Sequence, residues 1–110
     1  MLYIHDDGTI QLTRGDTAEL SVELAYDDGV GKYSINPDDK LTLTIKKNTK
    51  EETPLVQKSV IGTVSIEIEP SDTKSLAFGK YKYDVQLDTA SGKTYTVIKT
   101  SVFEIMEEVT

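Results

Sequence analysis

The feature that most constrains this chain is an apolar period of two that recurs along its length. Leu20, Val22, Leu24 and Tyr26 alternate with polar or small residues, as do Leu41, Leu43 and Ile45 with Thr42 and Thr44. Val64, Ile66 and Ile68 alternate with Ser65 and Glu67, and Tyr81, Tyr83, Val85 and Leu87 with Lys82, Asp84 and Gln86. Successive side chains of a strand point to opposite faces, so each run reads as a strand with one face in a core and one in water. Shorter or less regular candidates are Thr9 to Thr13, Leu55 to Val60 and Lys93 to Met106. The last is out of phase with itself. Tyr95 and Val97 share a parity with Phe103 and Ile105, yet Lys99 and Ser101 lie between them, which predicts a bulge or a change of sheet near Lys99-Thr100-Ser101.

Turn signals separate the runs. Asp6-Asp7-Gly8 and Asp27-Asp28-Gly29 offer positions for positive φ, Asn36-Pro37-Asp38-Asp39 starts a turn, and Ile61-Gly62 and Ser91-Gly92 are suited to tight hairpins. The one helical signal is Pro70-Ser71-Asp72-Thr73-Lys74-Ser75-Leu76, with Ser71 or Asp72 as its cap. Many short strands with almost no helix predict an all-β, immunoglobulin-like antiparallel β-sandwich of about seven strands with one helical turn near 70–77. At 110 residues, the span 1–110 is read as one domain.

Composition narrows the function. Twelve basic against nineteen acidic side chains leave a net charge of −7, which argues against a phosphate-binding surface, since nucleic-acid affinity depends on clustered Lys and Arg. The densest basic group, Lys46, Lys47, Lys50 and Lys58, is interrupted by Glu51 and Glu52 and reads as a solvated hairpin. No apolar run approaches the roughly 18–20 residues that span a bilayer, and Met1 to Asp7 lacks the basic start and apolar run of a signal peptide. With no Cys there is no thiolate metal site and no cysteine nucleophile. His5, the single histidine, lies among acids near the start and is a poor base for a nucleophilic triad.

The remaining candidates are weak as chemistry and stronger as structure. Arg14-Gly15-Asp16 spells an integrin-binding tripeptide but falls between two strands, where Gly-Asp is ordinary turn chemistry. The pairs Asp6-Asp7, Asp27-Asp28 and Asp38-Asp39 carry the oxygens calcium needs but not the spacing of a calcium loop. No catalytic, metal-binding or cofactor-binding residue is assigned, and a non-enzymatic role is expected. A more specific pattern is a helical turn, Gly79, then Tyr81 opening a strand with Tyr83 two positions later. This fits a tyrosine corner, with Tyr81 bonding to backbone upstream and Tyr83 in the core; the alternative is two plain core aromatics.

Three stretches also carry a resemblance. Thr13 to Ala18, Asp72 to Leu87, and Thr94 to Ile98 leading to Phe103-Glu104-Ile105 and Glu108-Val109-Thr110 look like small structural proteins of phages and prophages of Gram-positive hosts. They are similar to the amino-terminal Ig-like domain of the siphophage baseplate upper protein. The resemblance implies a virion protein of the tail or baseplate that binds other phage structural proteins, found in the virion or, before assembly, in the bacterial cytoplasm. Some relatives continue into trimerising and carboxyl-terminal domains, whereas this chain stops at Thr110. Docking is expected through a sheet edge or face and the loop Ala25 to Lys40, with Tyr26 and Tyr33 as interface residues and self-association as one outcome. The rival reading is a carbohydrate-binding module for the host cell wall, which needs a planar row of exposed aromatics; 7% aromatic content and no Trp weigh against it.

Overall fold

A computed structural model describes residues 2–4, 8–25, 31–50 and 52–107. Among them are eight strands: β1 (Tyr3–Ile4), β2 (Ile10–Thr13), β3 (Ala18–Ser21), β4 (Lys40–Lys46), β5 (Val56–Ile61), β6 (Ser65–Ile68), β7 (Gly79–Asp88) and β8 (Thr94–Met106). A single helical turn, α1 (Pro70–Thr73), joins β6 to β7. The protein is therefore all-β, and the alternating runs form strands because each can bury one face. Leu41, Leu43 and Ile45 of β4 and Tyr81, Tyr83, Val85 and Leu87 of β7 are all buried, while the residues between them are not.

The strands divide into a six-stranded sheet, in the order β1-β2-β8-β7-β4-β5, and a two-stranded sheet of β3 and β6. Both turn their apolar sides into one core: Leu20, Ile66 and Ile68 from the small sheet meet Leu43, Val85 and Phe103 from the large one. Val22 and Leu24 continue the buried alternation of β3 beyond its paired residues, held by Val22 N–H donating to the Val64 carbonyl at 2.9 Å.

The expectation of an antiparallel fold holds for every strand pairing but one. β2 runs parallel to β8, with Ile10 opposite Phe103 and Leu12 opposite Ile105. Parallel strands need a long connection, and here the rest of the chain supplies it because the pair joins the first part of the sequence to the last. Ile61-Gly62 is not the hairpin its sequence suggested. β5 pairs with β4, and the chain then crosses to the other sheet, where β6 pairs with β3. The apolar face of β6 closes the core from the opposite side, which a β5–β6 hairpin could not do. Gly62, at φ +73°, makes the crossing while a Cβ there would meet the Pro37 carbonyl oxygen at 3.0 Å.

The irregularity expected in the last strand is present, and it is double. Tyr81 opposes Phe103 and Tyr83 opposes Ser101, but Val85 opposes Ile98, Gln86 opposes Thr96 and Leu87 opposes Tyr95. Two single-residue register shifts flank Val85. With no shift the exposed Lys99 would lie opposite buried Val85. An unpaired ammonium in a core costs several kcal/mol, far more than the ladder bonds two bulges give up. Two shifts put Ile98 in that place and restore the original parity, so Tyr95 and Phe103 lie on the same face. Ser101 remains inward, its hydroxyl satisfied by the Lys99 carbonyl at 2.8 Å.

The α1 turn differs from its expected capping. Pro70 takes the first helical position, so the N-cap is Glu69, and Asp72 serves the other half of a capping box by accepting the Glu69 N–H at 2.7 Å. Beside it, Tyr81 Oη donates to the Ala77 carbonyl, four residues upstream, at 2.7 Å. Tyr83 packs edge-on against Phe103 with ring centroids 6.1 Å apart, and its hydroxyl donates to the Gly8 carbonyl. Gly8 has φ +89°, and a Cβ there would lie 2.7 Å from Ser101 Oγ, so this approach of the chain start to β8 requires glycine.

Each of these hydroxyls ties a loop to a core strand. Tyr81→Phe and Tyr83→Phe should each lower the unfolding free energy by about 1 kcal/mol, read from urea midpoints at unchanged slope.

Candidate functional site

The site of most interest is a groove of about 720 Å³ at one end of the molecule, walled by Leu24, Tyr33, Leu87, Tyr95 and Val97 with Asp39 at its base. The loop before β4 and the turn between β7 and β8 line it, and the chain after β5 reaches Asp39 from outside the lining. Asp39 joins them. Its Oδ2 accepts the Tyr33 hydroxyl at 2.5 Å and the Asn36 N–H at 3.0 Å, and its Oδ1 accepts the Ala90 N–H at 3.0 Å. Its carbonyl accepts the Gly62 N–H at 2.9 Å.

Asp39 is fully buried, with 0% of its surface exposed. The Tyr33 hydroxyl, followed by the Asn36 amide, holds its carboxyl below the ordinary carboxylate range; burial opposes them and is outweighed. A general acid near neutral pH needs the opposite shift. Both carboxylate oxygens are already occupied by N–H and O–H donors, so the arrangement ties loops together rather than presenting a reactive group.

Asn36-Pro37-Asp38-Asp39 forms a turn as its composition suggests, with Asp39 N–H donating to the Asn36 carbonyl at 3.0 Å. Turn composition does not reveal the special role of Asp39, but its parity does: it matches Leu41, Leu43 and Ile45, so it begins the inward face of β4.

The predicted interface residues fare differently. Tyr33 does line the groove, but it is half-buried against the core and its hydroxyl is committed to Asp39 and to Asn36 Nδ2 at 3.2 Å. Tyr26 lies outside the described residues, as do His5, Asp6-Asp7, Asp27-Asp28 and Glu108-Val109-Thr110. The more exposed aromatic of the groove is Tyr95, 49% accessible, which the interface reading had not singled out. Tyr81 and Tyr83 sit in the core, away from the groove lining.

Arg14-Gly15-Asp16 is structural in its contacts. The Arg14 guanidinium lies over the Phe78 ring, 4.2 Å from its centroid, Gly15 N–H donates to the buried Thr73 hydroxyl at 2.9 Å, and Asp16 N–H closes the turn on Thr13. Lys58 does not belong to an open basic patch, because it pairs with Asp72 at 2.7 Å and thereby fastens β5 to α1. Among the described residues no three acidic or histidine side chains converge as metal ligands, and no helix is long and apolar enough to cross a membrane. The outer face of the large sheet is polar, with Thr42 and Ser59 hydroxyls 3.1 Å apart and Gln57 Nε2 donating to Thr44 at 3.2 Å.

The chain matches no protein-family model, and no curated protein or solved structure matches it.

Because the folded-state pKa of Asp39 lies below the ordinary value of 3.8, its contribution to stability is fully present above that value and is lost as pH falls through the lowered one. Asp39→Asn should be less stable than the wild type at pH 7. Its acid unfolding curve should also lack the steepening that the wild type shows below about pH 4. Parallel curves for the two proteins would contradict this role for Asp39.

Proposed function

We propose that the chain is an immunoglobulin-like module of a phage or prophage virion, associated with the tail or baseplate, that acts without catalysis by docking onto other structural proteins. Support for the immunoglobulin-like part comes from the strand order: β2 and β8, from the two ends of the sequence, adjoin in parallel, and the remaining neighbours are antiparallel, with a second, smaller sheet facing them. The single observation that carries it furthest is the Tyr81 bond to Ala77, set between a helical turn and a core strand, as the tyrosine corner of such domains is. The virion reading rests on the likeness of Thr13 to Ala18, Asp72 to Leu87, and Thr94 to Ile98 with Phe103-Glu104-Ile105 and Glu108-Val109-Thr110 to the amino-terminal domain of baseplate upper proteins. It places the protein in the particle or, before assembly, in the bacterial cytoplasm.

The distribution of exposed apolar groups favours protein contact over sugar stacking. The exposed large apolar residues described are Leu55, Ile61, Phe78, Tyr95 and Met106, of which only Phe78 and Tyr95 are aromatic, and these two lie on different segments rather than in one planar row. Phe78 is also covered on one face by Arg14. The groove beside Tyr95 and Tyr33 is the proposed docking surface, because Asp39 pins the loop before β4 to the turn between β7 and β8 and a rigid surface loses little entropy on binding.

Mass spectrometry of particles purified from the strain that encodes the chain should find it at a fixed ratio to tail proteins. Its absence from particles, or binding to purified host cell walls that is lost in Tyr95→Ala, would favour the carbohydrate-binding reading instead.

A further inference from the structure

β5 is an edge of the six-stranded sheet, and it differs from the other edges of the fold. Its register with β4 is unbroken over six pairs, from Lys40–Ile61 to Ile45–Val56. No described residue bonds to its outer side: Leu55 N–H and Gly62 N–H, at its two ends, turn back to Ile45 and Asp39. By contrast β1 is two residues long, and β8 is kinked by two register shifts along the stretch that β2 leaves unpaired. β3 and β6 present Glu19 and Glu67, which a second copy would bring against their own kind. Short strands, bulges and charge are the devices that keep sheet edges from pairing.

β5 lacks them in effect. Its one charge, Lys58, is on the inward face and already neutralised by Asp72 at 2.7 Å. Ile61, at its end, is 66% exposed, the highest value among the described large apolar residues. We infer that β5 is the site at which a second copy of this chain adds, antiparallel and about a two-fold axis at Ser59, to join the two six-stranded sheets.

The register follows from side-chain direction. Residues directly opposite in one continuous sheet must lie on the same face, so a residue faces either itself or one an even number away. Centring on Lys58 would set two ammonium groups face to face. Centring on Ser59 sets Lys58 opposite Val60 and Gln57 opposite Ile61, with no like charges directly opposed.

The ends agree in charge. The β4–β5 hairpin carries Lys46, Lys47 and Lys50 against Glu51 and Glu52, a net positive end. The other end carries Asp38, Asp39 and Asp88 against Lys40, a net negative one. Antiparallel pairing places each end beside its opposite in the partner, which offsets part of the repulsion between two chains of charge −7.

The test is sedimentation equilibrium of the 110-residue chain over a concentration series, with two variants and a control. A monomer–dimer equilibrium is expected, and Ile61→Lys, at a position exposed enough to fold normally, should weaken it about tenfold or more. The chain has no cysteine, so Ser59→Cys provides a single thiol. Opposed Cα atoms in an antiparallel pair lie about 4.5–5.5 Å apart, within disulfide reach, so oxidised Ser59→Cys should run as a covalent dimer while Thr96→Cys stays monomeric. A monomer throughout the series, a dimer indifferent to Ile61→Lys, or cross-linking at position 96 in place of 59 would overturn the proposal. None of these outcomes bears on whether the chain belongs to a virion.

Discussion

Lys99 has to stay in water while the residues on either side of it along β8 complete a core, and much of the molecule is arranged around that conflict. β8 is the longest strand, Thr94–Met106, and it must face β7 for nearly all of its length. A regular ladder would carry Phe103 and Ser101 inward and then Lys99. The two shifts beside Val85 skip that residue and set Ile98 in its place. Two shifts rather than one are required, since a single shift would turn Tyr95 and Leu87 to opposite faces. Along the stretch that β2 leaves unpaired, the kinked strand offers no regular outer ladder of the kind β5 presents, and it forms one wall of the groove.

The two ends of the molecule are then closed by polar ties of different kinds. At one end Tyr81 holds the Ala77 carbonyl, Thr73 holds the Gly15 amide and Arg14 covers Phe78, so the turn before β3 and the turn before β7 form a single packed corner. At the other, Asp39 serves three connections at once, two through its carboxylate and the third through its carbonyl. Asp39 is ionised and buried, a state that is tolerable only because each oxygen is met by donors with correct geometry. That requirement orders the groove without any ligand. It is also why Tyr33 contributes to shape more than to free hydrogen-bonding capacity.

The sequence made the strands legible and left their partners hidden. β4 and β7 could be read residue by residue because Leu41, Leu43, Ile45 and Tyr81 to Leu87 alternate strictly, and a strand with one wet face has no other way to place them. The break in β8 was visible as the wrong parity of Lys99, although its resolution into two shifts depends on which residue of β7 stands opposite. Pairings between distant segments left no local trace. The parallel contact of β2 with β8 and the Tyr83 bond to Gly8, separated by 75 residues, arise from the closure of the whole fold. Ile61-Gly62 misled because a glycine turn looks the same whether the chain returns to its own sheet or crosses to the other. Asp39 has the composition of ordinary turn chemistry, and only its parity with β4 points inward. The groove is the least legible part of the fold, since Tyr33 shapes it through a contact with Asp39 rather than by its own identity.

The account stands on the register of β7 with β8, and cross-strand nuclear Overhauser contacts measure it directly. Backbone contacts from Val85 to Ile98 and from Leu87 to Tyr95, together with Tyr83 to Ser101, are the predicted result. A regular ladder, with Val85 opposite Lys99 and Leu87 opposite Val97, would contradict it and with it the explanation of the groove and of the difference between the β8 and β5 edges.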